Sequence, residues 1–307
     1  MSDFLGRIRW LTSGADEDPD AAFDWVSGRP GSRPNREGLR SVVRVALVLA
    51  LLCLLVDWLV LARHDGRGWP LFAVLHLFWA AAFVGATAAS VAYLETVDGR
   101  PMRGLGGPNT ITLGRAVLVP PLVYLLATRD FGLAFFAYGV LVLSDVADGV
   151  WARRKRARSK LGIVLDPVAD LFLHGAVFLT LGIVGLLPRV AIALIAARTA
   201  LLVIGSGVLH FRKGSVRIQP TPLGKATGLL LGFSTALLLA LAGFAPGRYP
   251  DVIEFLGALL TLLLALLVLH AVAIGIVNLE WRKPWLKQRR ATPEESEADL
   301  PGKGKRE

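Results

Sequence analysis

The sequence predicts an all-α fold, a polytopic membrane helical bundle. Three observations carry that expectation: hydrophobic residues make up 54% of the 307-residue chain, charged residues only 19%, and mean hydropathy is +0.54. Soluble domains carry about a quarter charged residues and lack repeated apolar runs long enough to span a bilayer. Here such runs recur at roughly 42–62, 70–94, 110–128, 132–152, 163–187, 190–210, 223–245 and 252–279, each near the length that a spanning helix needs. Eight spans are therefore expected.

The elements follow in order. Residues 1–41 are polar and rich in Gly, Pro and Arg, without the apolar core of a signal peptide. Phe4, Leu5, Ile8 and Leu11 share one helical face there, which suits a cytoplasmic segment lying at the lipid headgroups, the alternative being a disordered tail. Residues 42–98 hold two spans, with Asp57 and Trp58 near the outer end of the first reading as interface anchors. Residues 99–285 form a six-helix core, and the polar stretch 286–307 lacks periodicity and is expected to be a disordered cytoplasmic tail. Cys53, the single cysteine, lies in an apolar run, so no internal disulfide can form.

The net charge of +10 is distributed as topology. With the amino terminus inside, 27 of the 34 Lys and Arg residues fall in cytoplasmic segments. Both termini are then cytoplasmic, in the cell (inner) membrane, and the basic residues contact anionic lipid instead of nucleic acid.

The chemistry concentrates between Leu143 and His174. Asp145 and Asp148 stand three apart, and Asp166 and Asp170 four apart, so each pair shares a face if both flanks are helical. The basic run Arg153–Lys160 is too charged for lipid and should turn at the membrane surface, bringing the two pairs together at the cytoplasmic face. Clustered carboxylates repel one another unless cations compensate, and oxygen-only ligands suit hard divalent ions, Mg²⁺ or Mn²⁺. A plainer reading pairs these acids with Arg153, Arg154 and Lys155, but intramembrane acids usually serve function. A divalent-cation transporter is the alternative of another class; it would spread its acids through membrane depth, whereas these cluster at one face.

The pattern Asp145-x2-Asp148-Gly149-x2-Ala152-Arg153-x8-Gly162-x3-Asp166-x3-Asp170 resembles the complete motif of the CDP-alcohol phosphatidyltransferases, with every fixed position present. The resemblance covers about residues 104–285 and is closest to members of the phosphatidylglycerophosphate synthase type. It implies transfer of a phosphatidyl group from CDP-diacylglycerol to a hydroxyl, with release of CMP, and it implies a homodimer in the bilayer. On that resemblance Asp145, Asp148, Asp166 and Asp170 hold two metal ions, and Asp170 also serves as general base. Gly149 and Ala152 let the nucleotide approach the backbone, although small residues also serve close helix packing. Arg153 offers a planar donor to phosphate, and Ser159 matches a position that contacts CDP in relatives.

Upstream, Pro108-Asn109-Thr110-Ile111-Thr112-x2-Arg115 resembles the family's entry to its first core helix, with Asn109 and Thr112 facing the cytidine. Downstream, Gly224-Lys225-x-Thr227 resembles a segment of phosphatidylglycerophosphate synthases. Arg198, Arg212, Arg217 and Lys225 are candidate ligands for a phosphate on the acceptor; the alternative is that Arg198 pairs with a buried acid and the others are positive-inside charges. The expected acceptor is sn-glycerol 3-phosphate, with inositol phosphate or another alcohol as alternatives. Two departures bear on it: Leu171 stands where such members carry a lysine, and Thr199 where they carry an acid. His174 shares the aspartate face one turn deeper, where it either tunes the base or is a hydrogen-bonded core histidine.

Overall fold

The computed structural model describes residues 36–63, 69–91, 94–96, 102–154, 159–213 and 222–280. The lipid-surface face of Phe4 to Leu11, Arg217 and the tail 286–307 lie outside them. Among the described residues there are nine helices and no strand: α1 (Arg36–Leu61), α2 (Trp69–Ala89), α3 (Gly107–Val117), α4 (Val119–Ala127), α5 (Phe131–Arg154), α6 (Lys160–Ile183), α7 (Arg189–Lys213), α8 (Pro222–Phe244) and α9 (Pro250–Glu280). Among the described residues six helical stretches are long and apolar enough to cross a membrane, and α5 adds a shorter apolar stretch, Phe131–Ala147. Large apolar side chains such as Leu51, Phe78, Leu143, Ile183 and Leu229 are exposed around the bundle, the surface expected of an integral membrane protein facing lipid.

The third expected span is two helices. Pro120 and Pro121 lack backbone N–H groups, so the carbonyls four residues earlier, of Ala116 and Val117, lose their helical donors. The chain breaks at Leu118 and restarts as α4.

Around this broken helix the rest is laid. α3 packs against α5 and α6, α4 against the same two, and α7, α8 and α9 close the bundle through α6 and α5. The main core joins Leu122, Leu125, Leu126, Tyr138, Phe178, Leu181, Leu239 and Leu260. Where α5 meets α8, Gly243 lies directly on the backbone of Gly132, a contact that any side chain would push apart.

α1 and α2 pack on each other and dock on α3 and α4. Here the structure corrects one expectation. Asp57 is not an interface anchor: it is fully buried, and its Oδ1 lies 2.7 Å from Nδ1 of His76 on α2. Trp58 beside it is exposed. An isolated carboxylate in an apolar interior would be too costly, which is why Asp57 turns inward to a partner and Trp58 outward.

Candidate active site

One turn of α3 organises the acidic residues. Thr112 and Arg115 stand three apart, on the face that α3 presents to α5 and α6. The Thr112 hydroxyl donates to Asp166 Oδ1 at 2.7 Å. The Arg115 guanidinium pairs through one terminal nitrogen with Asp145 and through the other with Asp170, at 3.6 Å. The Arg115 side chain is fully buried, whereas those of Asp145 and Asp170 are 47% and 43% exposed. A buried cation thus ties together two carboxylates from different helices while leaving about half of each open to a substrate.

The helix carrying Asp166 and Asp170 is anchored at its start. Ser159 caps α6, its Oγ accepting from the Gly162 amide at 2.9 Å and donating to Asn109 Oδ1 at 2.9 Å. Asn109 in turn donates to the Leu105 carbonyl at 2.6 Å. Gly162 is required here, since a Cβ at that position would lie 2.6 Å from Asn109 Oδ1. Thr96 bridges Ser159, the Lys160 amide donates to the Glu95 carbonyl at 2.9 Å, and the Lys160 ammonium pairs with Glu95 at 3.0 Å. Pro167 sits between the two aspartates of α6 and deprives the Ile163 carbonyl of its helical donor.

The expected site residues are therefore distributed as follows. Asp145, Asp166 and Asp170 converge on α3. Asp148 lies in α5 one turn beyond Asp145, with Gly149, Ala152 and Arg153 following, but the side chains of these four lie outside the described residues. The helix runs on to Arg154, so the basic turn is shorter than the charge run suggested. Asn109 and Ser159 are buried, with their polar atoms engaged inside the protein, and Thr112 is buried against Asp166. Arg198 is partly buried on α7. Arg212 and Lys225 lie in α7 and α8, with side chains outside the described residues. His174 donates from Nδ1 to the Asp170 backbone carbonyl at 3.0 Å and stacks on Phe178, the arrangement of a hydrogen-bonded core histidine.

Sequence reasoning did not find the bridging role of Arg115. The signal was available: a span arginine needs an acid partner, and four acids lay in the neighbouring spans. Among the described residues no three acidic, histidine or cysteine side chains stand close enough together to hold a metal. The donor chemistry nevertheless fits a hard divalent cation. Asp145, Asp166 and Asp170 present only oxygens, each carboxylate is oriented by α3, and those of Asp145 and Asp170 are nearly half exposed.

A family model described as CDP-alcohol phosphatidyltransferase matches residues 106–277. A protein of Mycobacterium tuberculosis whose name places it among the cardiolipin synthases is 33% identical over 141 residues, 44% of this chain and 66% of the relative. The human cardiolipin synthase (CMP-forming) is 34% identical over 116 residues, 38% of this chain and 37% of the relative. A rice chloroplastic CDP-diacylglycerol–glycerol-3-phosphate 3-phosphatidyltransferase is 31% identical over 122 residues, 40% of this chain and 36% of the relative. The chain thus spans less than two thirds of the length of each of these relatives. No solved structure matches the chain significantly.

Proposed function

The chain belongs to the CDP-alcohol phosphatidyltransferase family, and on that premise we propose that it transfers the phosphatidyl group of CDP-diacylglycerol to a glycerol hydroxyl that lies beside a phosphate. The observation that carries this reading is that one turn of α3 engages three motif aspartates, Asp166 through Thr112 and Asp145 and Asp170 through Arg115. The acceptor oxygen bonds to the phosphorus that bears the diacylglycerol, the phosphoanhydride bond to the cytidylate breaks, and CMP leaves with the bonding electrons. The hydroxyl proton passes to the Asp170 carboxylate, which Arg115 orients. Asp145, Asp148, Asp166 and Asp170 would hold Mg²⁺ or Mn²⁺, which supplies neutralisation of the diphosphate. By the motif, Gly149, Ala152 and Arg153 serve the nucleotide, while Asn109 and Ser159 act from behind by fixing the start of α6.

Arg198 supports an acceptor that bears a phosphate. It stands partly buried within the apolar helix α7, where a cation calls for anions around it. Two acceptors share the required chemistry: free sn-glycerol 3-phosphate, and the glycerol headgroup of phosphatidylglycerol. The names of the relatives favour one or the other, and Leu171 and Thr199, apolar or neutral where charge is expected for free glycerol phosphate, favour the lipid headgroup. The motif favours group transfer over the cation-transport alternative, because the buried Arg115 cation pairs with both Asp145 and Asp170, where a cation path would need free acids.

The test is CMP release by purified protein in lipid nanodiscs with CDP-diacylglycerol and Mg²⁺. Turnover is expected with phosphatidylglycerol or sn-glycerol 3-phosphate, and the product separates the two. Turnover with serine or unphosphorylated glycerol alone overturns the acceptor reading, and turnover with inositol phosphate alone moves it to a different alcohol.

A further inference from the structure

The two helices that precede the matched region carry buried polar residues which the reaction does not use. His76 and Trp79 stand three apart on α2 and face α3. The His76 Nε2–H donates to the Val117 carbonyl at 2.9 Å, and the Trp79 indole N–H donates to the Ala116 carbonyl at 2.9 Å. These are the two carbonyls whose helical donors are lost at Pro121 and Pro120. Asp57 of α1 holds the other ring nitrogen of His76 at 2.7 Å and so sets the ring's orientation. Trp79 and Phe83 also meet Phe172 of α6 edge-on at 5.2 and 5.3 Å, two residues past Asp170. α2 therefore grips both helices whose side chains form the Arg115–Asp170 pair.

We propose that α1 and α2 are a positioning element for the active site: His76, set by Asp57, and Trp79 replace the two missing backbone donors and thereby fix the turn of α3 that ends in Arg115. Without them the chain between Arg115 and Leu118 has free carbonyls in an apolar setting and settles elsewhere to satisfy them. Arg115 moves with that turn, and the carboxylates it bridges lose their common orientation. His76 and Trp79 act through the backbone of α3. The pair is specific to this junction because the two donors are spaced to meet two consecutive carbonyls, an arrangement that mere packing would not need.

The inference rests on the proposed transfer for its kinetic arm but not for its structural one. His76→Phe is expected to lower kcat about tenfold to a hundredfold, the scale of a misplaced catalytic group, with the KM for CDP-diacylglycerol nearly unchanged. His76→Gln, whose Nε2–H₂ reaches the same carbonyl, is expected to recover most of that loss. In a Pro121→Ala background the backbone regains its own donor, so His76→Phe is expected to cost less than about threefold, a coupling that a double-mutant cycle reads directly. The apolar pair Asp57→Leu with His76→Phe guards against simple misfolding, since it leaves no unpaired buried charge. Amide hydrogen exchange of residues 105–121 in nanodiscs is the structural arm, and His76→Phe should raise it without raising exchange in α8 and α9.

Equal losses with and without Pro121→Ala would overturn the proposal, as would equal losses in His76→Phe and His76→Gln. Wild-type turnover in His76→Phe with unchanged exchange overturns it too. If the wild-type protein releases no CMP with any acceptor, the transfer reading fails, and the exchange comparison alone then decides whether the brace exists.

Discussion

At the residue scale, Arg115 is the position on which the acids depend. Its planar fork reaches Asp145 and Asp170 at once, which the single ammonium of lysine cannot do. Arg115→Lys should therefore cut CMP release by about a hundredfold while keeping the charge. Its effect on folding should be small, below about 2 kcal/mol, because both carboxylates are nearly half exposed and water screens the loss. Thermal unfolding alongside the assay separates the two effects, and a fully active Arg115→Lys protein would show that the bridge is not needed. Asp170→Asn tests the proton acceptor: kcat should fall by about 10²–10⁴ with CDP-diacylglycerol binding largely kept. Binding lost in step with turnover would instead make Asp170 chiefly a ligand.

At the scale of elements, the start of α6 is set by a hydrogen-bonded chain from Leu105 through Asn109 and Ser159 to the Gly162 amide. Loss of a serine cap costs about 1 kcal/mol. Gly162→Ala should do at least this, because its Cβ would displace Asn109 Oδ1 and so disturb the cap from the other side. The prediction is non-additive: once Ser159→Ala has broken the chain, Gly162→Ala should cost appreciably less than it does alone, measured by thermal unfolding of the single and double variants. Full additivity would mean that Gly162 serves helix packing and not the latch. The motif glycine thus has a local reason in this chain, beside any role in admitting substrate.

At the scale of the molecule, the proposed orientation puts the acids and both termini on the cytoplasmic side. Cys53 is the only cysteine and is fully buried, which makes the chain a clean background for labelling. Arg103, just before α3, and Arg248, between α8 and α9, are both exposed, and the proposed orientation puts them on opposite sides of the membrane. Arg103→Cys should react with a membrane-impermeant maleimide only when the cytoplasmic face is open, and Arg248→Cys from the outside of intact cells. The reverse pattern would invert the topology and place the site on the outer face.

Much of this was legible without coordinates. Apolar runs announced the spans because a bilayer demands about 20 apolar residues for each helix. The spacing of Asp145, Asp148, Asp166 and Asp170 announced a site because helical periodicity is local. The residues that only the tertiary structure revealed are those whose partners lie far away in the chain. Asp57 reads as an interface anchor until α2 brings His76 to it, and Pro120 and Pro121 lie inside what reads as one apolar span until the helix is seen to break there, with Trp79 and His76 supplying the donors that they lack. Arg115 reads as one more motif position until α5 and α6 deliver an acid to each side of it. Sequence by itself determined which groups had to be satisfied, since burying a charge or a carbonyl without a partner is costly wherever it occurs. Only the packing of helices decided which partner satisfied each one, because that choice depends on how the spans lie against one another and not on any spacing within them.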